Sequence, residues 1–118
     1  LATRAAEANL GITDLSKAKA WVSFKGSGTI FIQAGLNIKS LTDHGSGDYT
    51  VEFGVPFRNS GAESDTNLCV VGMTENEDIY LYSQEKDGTA IRVRCEDQSS
   101  LADTNIIMLV VFGELEDE

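Results

Sequence analysis

From Lys19 onward, apolar and polar residues alternate with a period of two, the signature of half-buried β-strands. Ala20, Val22 and Phe24 alternate with Trp21 and Ser23, and Gly26-Ser27-Gly28 then provides the positive φ angles of a tight turn. This predicts a hairpin. Residues 29–34 are rich in isoleucine and phenylalanine, and 36–41 continue after Gly35, which suits a bulge or bend. Residues 42–48 are dense turn chemistry. Tyr49, Val51, Phe53 and Val55 then share one face with Thr50, Glu52 and Gly54 on the other, and Pro56 ends the strand. Three further strands are expected at 67–73, 79–84 and 89–96, the last two joined by Lys86-Asp87-Gly88, with polar loops at 58–66 and 97–103. The pattern changes at the end: every position from Ile106 to Phe112 is apolar. Such a strand should be buried on both faces, either centrally under a second layer or with one face given to a neighbouring subunit. The expected fold is therefore all-β, an antiparallel β-sandwich of about seven to eight strands over residues 19–118, preceded by a short N-terminal linker or helix at 1–18. A linker entering from upstream is expected too, because residue 1 is Leu1 rather than Met.

At 118 residues, 42% of them apolar, the chain suits one hydrophobic core. Its 19 acidic and 9 basic side chains give a formal charge of -10, which repels phosphate backbones and anionic lipid. Nucleic acid is not expected as a partner, and neither is membrane insertion, since no apolar run approaches the ~20 residues a membrane helix needs.

Two stretches carry a resemblance. Lys19-Ala20-Trp21-Val22-Ser23-Phe24-Lys25-Gly26-Ser27-Gly28-Thr29 and Asn37-Ile38-Lys39-Ser40-Leu41-Thr42-Asp43-His44-Gly45-Ser46-Gly47-Asp48-Tyr49-Thr50-Val51-Glu52-Phe53 resemble a β-domain of bacteriophage tail fibres and other virion structural proteins. With vaguer later landmarks, the likeness covers roughly residues 19–113. His44 and Lys25 depart from the family pattern, both in turns. The resemblance implies a homotrimeric virion component, tail fibre or receptor-binding domain, that mediates adsorption to the bacterial surface. Its partners would be copies of itself, other virion proteins on the N-terminal side, and a host glycan or protein. It would be made in the host cytoplasm and act in the virion. Two alternatives stand beside it: a capsid decoration or fibre-capping domain that binds no receptor, and a fragment of a glycan depolymerase tailspike. With the terminal strand lining the threefold, Ile107, Leu109, Val111 and Trp21 become candidate trimer contacts.

No enzyme motif stands out, and no cofactor or metal is expected. Asp43 and Asp48 bracket two glycines and could hold a cation, but aspartates that bond nearby backbone N–H groups are the commoner outcome of such turn chemistry. His44 lacks companions for a zinc site. Cys69 and Cys95 are expected as buried free thiols, with a disulfide possible if their strands are neighbours. Tyr80 with Tyr82, and Arg92 with Arg94, recur at a spacing of two, so each pair shares a strand face. If the faces coincide, they form an aromatic and guanidinium patch suited to stacking on sugar rings; the alternatives are a solvated face or a subunit contact with cation–π pairing.

Overall fold

The computed structural model describes residues 17–58, 68–76, 80–86 and 88–116. Eight strands follow in chain order: β1 (Ala18–Lys25), β2 (Phe31–Leu36), β3 (Ile38–Gly45), β4 (Asp48–Phe53), β5 (Leu68–Thr74), β6 (Tyr80–Lys86), β7 (Ala90–Glu96) and β8 (Ile106–Gly113). They form two antiparallel sheets of four strands, ordered β2-β1-β8-β5 and β3-β4-β7-β6. No helix occurs among the described residues. The expected linker or helix at 1–18 lies outside them, apart from Lys17 and Ala18, and so does nearly all of the loop at 58–66.

Alternation decides what each strand buries. Ala20, Val22 and Phe24 of β1 and Ile107, Leu109 and Val111 of β8 meet Tyr49, Val51 and Phe53 of β4 and Ile91, Val93 and Cys95 of β7 in one core. The Phe24 and Tyr49 rings touch edge to face across the sheets, with centroids 5.2 Å apart.

Within one chain, strand β8 buries one of its two faces. It is central, between β1 and β5, but only its inward residues are fully buried, while Ile106, Val110 and Phe112 are half-buried and Met108 is 37% exposed. The assignment of Ile107, Leu109 and Val111 to a trimer contact is corrected accordingly: their side chains belong to the chain's own core, and the outer face carries their neighbours.

The first crossing between the sheets takes one residue. Leu36 ends β2 in the first sheet, Ile38 opens β3 in the second, and Asn37 between them has φ of 59°. Asparagine tolerates this left-handed conformation because its side chain can bond locally. Here the Asn37 amide accepts from Val55 N at 2.7 Å and donates to Val55 O at 3.1 Å, fastening the exit of β4 to the crossing. The expected irregularity near Gly35 falls two residues earlier, where Gln33 is the extra residue between the Ser23–Ala34 and Phe24–Ile32 pairs.

A second fastening closes one end of the core. The buried Tyr49 hydroxyl donates to Gly26 O, in the turn after β1, and shares its proton with Asp103 Oδ1 at 3.1 Å, in the loop before β8. Asp103 Oδ1 also accepts from Gly47 N at 2.8 Å. Glycine is required on both sides: a Cβ at Gly26 would lie 2.6 Å from Thr104 O, and one at Gly47, where φ is 63°, would lie 2.4 Å from Cys95 O.

Replacing Tyr49 with Phe should cost about 1–3 kcal/mol in denaturant unfolding, since it strands a buried acceptor. Asn37→Ala should cost about 2–3 kcal/mol, from two lost hydrogen bonds and a left-handed alanine. A wild-type unfolding midpoint for either variant would contradict the role assigned to that side chain.

Candidate functional site

With Tyr49, Val51, Ile91 and Val93 turned inward, the intervening residues of β4 and β7 form the outer face of the second sheet. Asp48 pairs with Arg94 and Thr50 with Arg92. Across the next ladder Tyr82 pairs with Arg94, Tyr80 with Glu96, and Glu85 with Arg92 after a register shift. Register therefore sets the Tyr82 position of the expected aromatic and guanidinium patch beside Arg94 and the Tyr80 position beside Glu96, while Arg92 and Arg94 share the outer face of β7.

Asp48 organises the guanidinium half of it. Arg92 grips this buried carboxylate with two bonds, Nε to Oδ1 at 2.9 Å and Nη2 to Oδ2 at 2.8 Å. Such a fork is the strong form of an ion pair. Arg94 Nε lies 3.6 Å from Oδ2, close enough for charge attraction and too far for a hydrogen bond. This Nε is buried without a hydrogen-bond partner, while the Arg94 side chain as a whole remains about a quarter exposed. Two guanidinium groups thus converge on one carboxylate, with Glu85 and Glu96 at neighbouring register positions. His44 Nε2, hydrogen-bonded to Thr50 Oγ1 at 2.7 Å, borders the same face. The hydrogen bond from Arg92 holds the Asp48 carboxyl below its ordinary pKa; burial opposes that shift, and the charges of Arg92, Arg94 and His44 reinforce it.

In the turn at 42–48 both aspartates have partners within the chain. Asp43 Oδ1 accepts from Gly45 N at 3.0 Å, and Asp48 is engaged by the two arginines. Among the described residues no group of three or more metal-ligating side chains occurs. Cys69 and Cys95 are both free thiols on different sheets, so the disulfide reading does not hold. Cys95 is buried as expected and Cys69 is exposed, which corrects the expectation for it. Burial, with help from Asp103, pushes the Cys95 thiol up to about 12, which keeps it protonated and unreactive. Trp21 is 38% exposed on the outer face of the first sheet. A shallow cleft of about 220 Å³ beside Pro56, Phe57 and Thr89 is smaller than ordinary ligand pockets, and its Arg58 is paired with Glu114 at 3.4 Å.

The residue that sequence reasoning missed is Asp48, read there as part of a turn. A signal for it exists: Asp48 is in phase with Thr50 and Glu52, the solvent-side residues of the clearest alternating strand.

Because the folded pKa of Asp48 is depressed, its stabilisation is complete above the unfolded value near 3.9 and is lost as pH falls through the folded value. Asp48→Asn should cost about 2–3 kcal/mol at neutral pH. The gap between variant and wild type should narrow below about pH 4. An equal gap at both pH values, in unfolding curves, would refute this.

In comparisons with known proteins, the chain matches no family model, no curated protein and no solved structure.

Proposed function

We propose that this chain is a non-enzymatic structural domain of a bacteriophage tail fibre or related virion appendage, acting in adsorption to the bacterial surface. In this reading the two sheets close as a β-sandwich, three copies assemble as a homotrimer, and other virion proteins join on the N-terminal side. The sequence resemblance supports it: its two stretches fold as β1 with the turn that follows, and as β3, turn and β4. The observation that carries the contact role is Arg94, whose side chain is about a quarter exposed and which stands opposite the Tyr82 position across the β6–β7 ladder. Guanidinium beside aromatic suits a sugar that bears hydroxyls and a carboxylate. Three weak sites on one rigid particle gain strength through effective concentration, without a deep pocket in any subunit.

The test is binding of the purified chain to immobilised acidic bacterial surface glycans and to whole cells, with its mass in solution measured alongside. The expected result is a trimer that binds, with Arg94→Ala at least about tenfold weaker. A stable monomer would overturn the assembly, and full binding by Arg94→Ala would overturn the site. Shortened glycan products would favour the depolymerase, and capsid binding without cell binding the decoration or capping domain.

A further inference from the structure

Exposed apolar side chains are unevenly divided between the two sheets. All the large apolar side chains that are exposed among the described residues stand in strands of the first sheet. Register aligns them: Leu36, Trp21, Val110 and Val71 lie opposite one another across β2, β1, β8 and β5, forming an unbroken row over the whole width of the sheet. Met108 and Met73 form part of the next row. Val71 is 56% exposed and Met73 61%. Single exposed apolar residues are ordinary, but a continuous band is the mark of a surface that something covers.

Charge placement identifies what covers it. None of the 19 acidic residues stands in the four strands of the first sheet, whose only charged residues are Lys19 and Lys25. The strands of the second sheet, by contrast, carry Asp43, Asp48, Glu52, Glu85 and Glu96. A chain of -10 repels its own copies by most approaches. The acid-free sheet is the approach along which that repulsion is weakest. The edge strands agree. β2 and β5 contain no charged residue and no proline, the usual guards of a sheet edge, whereas β3 and β6 contain both signs of charge. The row from Leu36 to Val71 spans all four strands, a continuous apolar surface of the kind that interfaces bury at their centre.

We infer that the outer face of the first sheet is where copies of this chain meet, with Trp21 at the centre of the contact. The inference rests on the self-assembly proposed above and names its surface, which is not the Ile107, Leu109 and Val111 face.

The experiment uses the full chain and a double variant, Val71→Glu with Met73→Glu. Both positions are exposed on an edge strand, so the core is untouched. Thr42→Glu, exposed on the outer face of the second sheet, is the control for added charge. Mass in solution is measured over a dilution series together with the emission of Trp21, the only tryptophan. Wild type should be an oligomer whose Trp21 emission shifts to the red on dilution. The double variant should associate at least about 100-fold more weakly and show red-shifted emission at every concentration, with wild-type circular dichroism. The control should behave as wild type. A monomeric wild type would overturn self-assembly itself. An oligomeric wild type with an equally oligomeric double variant would overturn the surface alone, as would a control that dissociates with it.

Discussion

One hydroxyl holds the end of the core shut. Two sheets can bury their apolar faces against each other only if the loops at their ends keep water out, and here the loops come from distant parts of the chain. Tyr49 lies in the core with its ring against Phe24, and its oxygen reaches the turn after β1 and the loop before β8 together. Burial and the nearby Asp103 carboxylate push its pKa above the ordinary tyrosine value, so it remains a neutral donor throughout the physiological range. Around it the backbone has no slack. Gly26 and Gly47 lack side chains where any Cβ would collide, and Cys95 N donates to Gly47 O at 2.8 Å to bring the end of β7 into the same knot.

How much of this was legible in the sequence depended on distance along the chain. β4 announced itself through strict alternation, and β1 did so nearly as well, because a half-buried strand writes its facing into every second residue. The terminal strand could not: in a run of seven apolar residues the period of two is silent, and only pairing with β1 and β5 reveals that 107, 109 and 111 face the core. The crossing at Asn37 was equally hidden, since residues on either side read as one strand and the decisive amide bonds Val55, 18 residues away. The site was half legible. Alternation placed Tyr80 with Tyr82 and Arg92 with Arg94, but the carboxylate that engages both arginines lies 44 residues before Arg92, a separation no local pattern spans.

The same fold thus presents two unlike surfaces. On the second sheet, β4 and β7 turn mostly polar residues outward, and Asp48 anchors the guanidinium of Arg92 among them. On the first, apolar residues occupy both phases of β8, and the lysines at either end of β1 are the only charges. The shared core requires only one apolar phase per strand. The second phase on the first sheet has no task inside the chain, which is why the excess of apolar residues concentrates there.

The strand order also sets a sequence of events in synthesis. β8 is the last of the eight described strands in chain order, yet it occupies the middle of the first sheet, between the first and the fifth. Until β8 is made, β1 and β5 have no partner in common, and the inward residues Val22 and Phe24 lack their neighbours Leu109 and Ile107. Pairing of such distant segments makes closure slow. During that wait the nascent chain exposes the uncharged edges that a chaperone would have to shield.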